Sequence, residues 1–329
     1  PPRSTLFPYT TLSDLHIVSA SSNREPGAGI PPEKLPAIAK QVLEQCDGLD
    51  GIHDGVIDDP RRCRFDGSFM QCAGEDSKDC LTASQVETAR RIYGGLRNPR
   101  TGELIYPGFP AGAELSGGGR TRLANDDVGS LINANTPAVA VWTLGESWSA
   151  KNWLTFDFDK DAQRLTRQLE WLEHGNTPQK MQGFRKSGGK LILFTGWGDP
   201  NLAPAHIAGF YESIEASVGG REKNDFVRLF AAPGMYHCRG GPGPNDFGQT
   251  ARANQSGATP ENDLVMALDR WVTEGVAPER IIAMKYVDND HKKGIARTRP
   301  LCTYPKVARW NGRGSTDDAK NFACVEPAT

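Results

Sequence analysis

The segment from residue 188 to residue 244 constrains the fold more than any other. Gly188-Gly189 leads into Lys190-Leu191-Ile192-Leu193-Phe194, a short apolar run of the kind that fills a buried parallel strand. The loop Thr195-Gly196-Trp197-Gly198-Asp199-Pro200 follows, then a helical pattern from about Pro204 to Val218, then a second strand-like run from Phe226 to Phe230. Beyond it, the string P-G-M-Y-H-C-R-G-G-P-G-P at 233–244 is too rich in glycine and proline for regular structure, and Asp263 to Glu274 reads as an amphipathic helix. Alternating strands and helices point to a right-handed α/β sheet, whose site lies in the loops at the carboxyl ends of its strands. Asp199 and His237 occupy two such loops.

At 329 residues the chain has room for about two domains. Its 38 basic and 40 acidic residues leave a net charge of -2, no cationic footprint for nucleic acid or an anionic membrane. No apolar run approaches the roughly 18–20 residues of a membrane-spanning helix. Upstream of the α/β pattern, Pro31-Pro32-Glu33-Lys34 starts a helix in which Leu35, Ile38, Ala39, Val42 and Leu43 recur at helical spacing. A second helix runs from Thr82 to Tyr93, with Thr82 and Gln85 in capping-box positions. Residues 94–150 read as loops and short elements, Trp142, Trp148 and Trp153 clustering in or just beyond them, and Asp161 to His174 reads as helical. Residues 1–13 lack the basic and apolar regions of a signal peptide and are expected to be a non-native leader.

Six of the seven cysteines form three sequence-local groups, Cys46 with Cys63, Cys72 with Cys80 and Cys302 with Cys324, and Cys238 stands alone. Bridges closing loops of this size stabilise by about 2–4 kcal/mol each, which suits a secreted or periplasmic protein. Reduced core thiols in a cytosolic enzyme are the alternative, and zinc is disfavoured because C-x-x-C and HExxH are absent.

Asp199 and His237 stand in the order of the acid and base of an α/β-hydrolase triad, in which the acid fixes the imidazole tautomer and the base takes the nucleophile's proton. A surface aspartate and a loop histidine would produce the same spacing. The serine of such a triad precedes both in G-x-S-x-G, and this chain has no such motif; Gly145-Glu146-Ser147-Trp148-Ser149 lacks the last glycine and follows no buried strand. The serine, its part of the oxyanion hole and the first strands are expected upstream of residue 1.

Residues 46–59, C-D-G-L-D-G-I-H-D-G-V-I-D-D, hold five aspartates and three glycines. Hard oxygen donors at this density favour calcium over magnesium, with the carbonyls of Ile52 and Val56 available as further ligands; the spacing is not that of an EF-hand, and a solvated acidic turn is the alternative.

Taken with G-W-G-D-P at 196–200, P-G-M-Y-H-C-R-G-G-P-G-P at 233–244 and R-T-R-P-L-C-T-Y-P at 297–305, the string from Cys46 to Asp66 resembles the tannase and feruloyl esterase family over roughly residues 30–329. The resemblance implies the carboxyl-terminal part of an α/β-hydrolase sheet with a large inserted loop-rich lid domain, the lid at 14–178 and the remaining core at 179–329. It implies an extracellular or periplasmic serine esterase with triad acid Asp199 and base His237, and Ca2+ on Asp47, Asp50 and Asp54 with the carbonyls of Ile52 and Val56. It also implies disulfides Cys46–Cys63, Cys72–Cys80 and Cys302–Cys324. Cys238 falls where the family's cysteine pairs with the one preceding its serine, in a G-C-S-x-G-G segment that has no counterpart here. The expected activity is hydrolysis of a feruloyl, galloyl or terephthalate-like ester, and the alternative is an inactive fragment that binds calcium and aromatic ligands. Tyr106, Phe109, Trp142 and Trp148 either stack on the aromatic acid or fill the lid core. An exposed sheet edge invites self-association.

Overall fold

A computed structural model of the chain describes residues 27–98, 100–118, 123–124, 160, 180–249 and 257–327. The chain divides into two compact units that interleave in sequence: Pro1–Val42, Arg64–Thr177 and Pro200–His206 form one, and Leu43–Cys63, Pro178–Asp199 and Ile207–Thr329 form the other. Leu43–Cys63, expected within the lid, therefore groups with the later residues. Ser147, Trp142, Trp148, Trp153, the leader and the 161–174 helix lie outside the described residues.

In the first unit, prolines in the first turn start a 3-10 turn, Pro32–Lys34, which runs into helix α1, Leu35–Cys46, as far as Val42. Lys34 is 3% exposed, and its charge is met by Asp76, the Cys80 carbonyl at 2.7 Å and Gln85 Oε1 at 2.7 Å. Helix α2, Ala83–Gly94, opens with the expected capping box, in which the Thr82 side chain accepts from Gln85 N–H and the Gln85 side chain accepts from Thr82 N–H. It buries Val86, Ala89 and Ile92, one side of the helix. Strands β1, Leu96–Arg97, and β2, Leu104–Tyr106, pair antiparallel after it. Tyr106 and Phe109 are 2% and 3% exposed, and Phe109 packs edge-on against Tyr93 at 5.8 Å. Of the two readings of these rings, core packing is the one the structure has.

The second unit contains helix α3, Met181–Lys186; strand β3, Leu191–Gly196; helix α4, Pro204–Val218, from Ile207 onward; helix α5, Gly220–Asn224; and strand β4, Val227–Ala232. After them come helix α6, Leu264–Glu274, and strands β5, Arg280–Tyr286, β6, Ile295–Cys302, β7, Val307–Trp310, and β8, Phe322–Val325. β3 and β4 are parallel, in register from Leu191↔Val227 to Gly196↔Ala232. The period of two along β3 sends Leu191 and Leu193 toward Tyr211 and Ile214 of α4, and Ile192 and Phe194 toward Leu264 and Ala267 of α6 and Ile281 and Leu301 of the β5–β6 hairpin. Both faces of the pair are covered, which is why Leu191–Phe194 of β3 reads as an unbroken apolar run. Asp263 caps α6 by accepting from Val265 N–H and Met266 N–H, and Gly275 closes it in the left-handed region. β5 pairs antiparallel with β6, and β7 with β8. Disulfides join Cys46 to Cys63, Cys72 to Cys80 and Cys302 to Cys324, the pairs implied by the resemblance, and leave Cys238 as a free, exposed thiol.

Candidate active site

Asp199 and His237 meet where β3 and β4 end side by side. His237 Nδ1 lies 3.0 Å from Asp199 Oδ2; the Asp199 side chain is 5% exposed and that of His237 46%. A buried carboxylate on Nδ1 holds one tautomer and leaves Nε2 as the nitrogen for proton exchange. The local sequence dictates this approach. A Cβ on Gly196 would lie 2.1 Å from the Met235 carbonyl oxygen, and Gly198 N–H donates to that same oxygen at 3.0 Å, so only glycine lets the two loops touch. Asp199 N–H closes a turn onto the Gly196 carbonyl at 3.0 Å.

The histidine loop is held from its far side. Gln249 Nε2 donates to the carbonyls of Cys238 at 3.3 Å and Asn245 at 2.7 Å, Asn245 Nδ2 donates to the Gly243 carbonyl at 2.8 Å, and Lys285 on β5 donates to the Gly241 carbonyl. Burial and then the nearby Arg297 hold the Lys285 ammonium below its usual range. Cys238, next to the histidine, adopts a left-handed backbone at φ 59°. Burial and the Asp199 carboxylate push its thiol up, so it stays protonated at neutral pH and is a poor nucleophile.

The acidic loop lies in the same unit, closed by Cys46–Cys63. Asp47 is wrapped by backbone amides, its carboxylate accepting from Gly55 N–H and Val56 N–H, each at 3.1 Å. Asp50 accepts from Ile52 N–H at 2.9 Å, and Asp54 is gripped by two β6 arginines, Arg297 Nη1 at 2.9 Å and Arg299 Nη2 at 2.6 Å. Burial raises the Asp50 carboxyl against that amide, with Asp54 adding repulsion. Asp58 is pushed up to about 7 by burial and then by Asp50. All donors here are hard oxygens, crowded until their charges repel, and in that chemistry the residues fit a calcium ion. Among the described residues, the one set of three candidate ligand atoms within 4.8 Å of one another is Cys72, Asp76 and Cys80, whose two sulfurs form a disulfide.

Sequence reasoning missed the two arginines on Asp54, the Lys285 and Gln249 anchors, and Arg61, whose guanidinium carbon sits 4.4 Å from the ring centroid of Trp197. One signal was present: Arg297 and Arg299, two apart on a strand, share a face inside the R-T-R-P-L-C-T-Y-P string.

Residues 6–325 match the family described as tannase and feruloyl esterase. An uncharacterized esterase of Xanthomonas campestris is 38% identical over 92% of this chain and 56% of its own length. The mono(2-hydroxyethyl) terephthalate hydrolase of Piscinibacter sakaiensis is 31% identical over 89% of this chain and 52% of its own. The crystal structure of an esterase from Aspergillus oryzae superposes with TM-score 0.81 at 26% identity, covering 96% of this chain and 62% of that one. Feruloyl esterase B from Aspergillus oryzae shares the fold at TM-score 0.83, with 24% identity over 97% of this chain and 62% of that one. The chain thus spans about half the length of the curated relatives it matches.

Proposed function

The chain belongs to the tannase and feruloyl esterase family, and from that premise we propose that it carries the acid and base of a serine carboxylesterase acting on aromatic esters of the feruloyl, galloyl or terephthalate type. The observation behind this reading is the 3.0 Å contact between His237 Nδ1 and Asp199 at the carboxyl ends of adjacent parallel strands. In the proposed reaction His237 Nε2 takes the proton of a serine hydroxyl as its oxygen attacks the ester carbonyl. Asp199 stabilises the imidazolium, and the same proton passes to the departing alcohol. Water, activated in turn by His237, then hydrolyses the acyl-serine. The serine and its oxyanion-hole amides come from a G-C-S-x-G-G segment that is not within these 329 residues.

We further propose that Asp47, Asp50 and Asp54, with the carbonyls of Ile52 and Val56, hold a calcium ion that screens the acidic loop and fixes its shape; calcium supplies charge and rigidity there, no bond-making step. The three disulfides support an extracytoplasmic location.

The absence of G-x-S-x-G favours a second reading, a binding fragment that does not turn substrate over. The test is hydrolysis of methyl ferulate, methyl gallate and p-nitrophenyl butyrate by the purified chain with calcium, alone and co-folded with the serine-bearing segment of a family member, each beside His237→Ala. Turnover in the co-folded sample that His237→Ala abolishes is the expected result. Turnover that survives His237→Ala refutes the assignment, and ester binding with no turnover in either sample favours the second reading.

A further inference from the structure

The acidic loop touches both arms of the Asp199–His237 pair, through the side chain of Val56, of which the calcium reading uses only the carbonyl, and through Arg61, to which neither that reading nor the triad assigns a role. On the histidine side, a Cβ added to Gly234, three residues before His237, would come within 2.9 Å of Val56 Cγ1, so the backbone there rests on that valine. On the aspartate side the contact is Arg61. Asp59 grips its guanidinium along one edge, accepting from Nε at 2.9 Å and Nη2 at 2.7 Å, and Nη1 donates to the Tyr304 hydroxyl at 2.7 Å. That hydroxyl bonds in turn to Glu212 on α4. Held at both ends, the guanidinium lies over the indole of Trp197, which is 5% exposed and stands two residues before Asp199. The indole is the side-chain anchor of the turn whose backbone is already pinned, by Trp197 N–H to the Ala232 carbonyl at 2.9 Å and Gly198 N–H to the Met235 carbonyl at 3.0 Å.

We infer that Arg61 is a positioning residue for the Asp199–His237 pair, fixing the orientation of the Asp199 carboxylate through the face of Trp197. This rests on the acid–base reading proposed above. A hydrogen bond between a carboxylate and an imidazole is sensitive to the angle of the carboxylate, and a cation on an aromatic face is attracted by the ring, the more so when desolvated. Three properties are needed together: a charge, a flat face for the indole and a fork for Asp59. Lysine has only the first. Arg61 also lines, with Asp58, Trp197 and Lys306, a small cavity of about 30 Å³ that opens to solvent, so a shorter side chain opens space at the indole.

The experiment reads the pair by NMR in the folded chain with calcium: the downfield proton on His237 Nδ1 and the rate at which it exchanges with water. Asp199→Asn is the reference and is expected to move or remove that signal. Arg61→Met and Asp59→Asn, two independent ways to remove the fork, are expected to broaden or move it and to quicken its exchange. Arg61→Lys is expected to behave like Arg61→Met, and millimolar methylguanidinium to restore the Arg61→Met signal toward wild type. Circular dichroism selects the variants that fold. A merely structural role lowers the melting temperature and leaves the signal in place. If Asp199→Asn moves the signal while folded Arg61→Met and Asp59→Asn do not, the inference is wrong; if Asp199→Asn itself moves nothing, the acid–base reading falls and takes the inference with it.

Discussion

In calcium-free buffer, Asp58→Asn is expected to make the protein more stable at pH 8 and to leave it unchanged at pH 4. The sign follows from proton binding. With a carboxyl pushed from 3.8 to about 7 by burial and then by Asp50, the folded state holds a proton that the unfolded state has released. Stability from this group is fully present below pH 3.8 and is lost as pH rises to about 7. Asparagine keeps the shape and never ionises, so the difference between variant and wild type grows across that window. At 1.36 kcal/mol per tenfold change in proton affinity the upper limit is about 4 kcal/mol. Discounted for the solvent that reaches a half-buried side chain, about 1–3 kcal/mol remains. In a chain of this size that corresponds to about 1–4 °C in melting temperature. The assay is calorimetry of both proteins from pH 4 to pH 8, in EDTA and again with millimolar calcium. Calcium should raise the wild-type melting temperature most at the alkaline end, where the loop carries most negative charge. A difference curve that is flat, or that favours wild type as pH rises, would refute the account of Asp58; an EDTA curve identical to the calcium curve would refute the metal site.

Three further outcomes are expected. Gly196→Ala places a Cβ 2.1 Å from the Met235 carbonyl oxygen, so the two site loops must separate; the His237 Nδ1 proton should vanish and stability fall by about 2 kcal/mol or more, read by NMR and urea unfolding. Lys285→Met removes the donor to the Gly241 carbonyl, and hydrogen exchange should quicken at the amides of 238–241 and Gly243 while those of β3 stay protected. Burial holds His206 down to about 4, so its contribution to stability is lost as pH falls from 6.5 toward 4; His206→Phe should flatten the acid limb of the stability curve, and an unchanged limb would contradict the burial argument.

The elements legible in the sequence are those whose signals are local. Thr82 with Gln85, Asp263 ahead of an amphipathic run, and the apolar strings of β3 and β4 each specify their own structure within a few residues, and the structure has all of them. The site was half legible: Asp199 and His237 could be placed by loop order, because a parallel α/β unit fixes where strand ends meet. What supports them could not. β6 reads poorly as a strand because Arg299 sits on its inner face, and a buried arginine makes sense only beside Asp54, 245 positions away. Arg61 looked like one more charge in an acidic, arginine-containing turn, since nothing near it in sequence announces Trp197 or Tyr304.

The contacts of the acidic loop also set an order of events during synthesis. Arg61 reaches Tyr304 and Asp54 reaches Arg297 across 243 positions each. At about 5–20 residues per second a ribosome needs roughly 10–50 s to supply those partners. Throughout that interval Asp54 is without its arginines, at the time Cys46 and Cys63 must find each other. The loop is made well before the residues that complete it, and a cation or a chaperone would have its longest opportunity to act there.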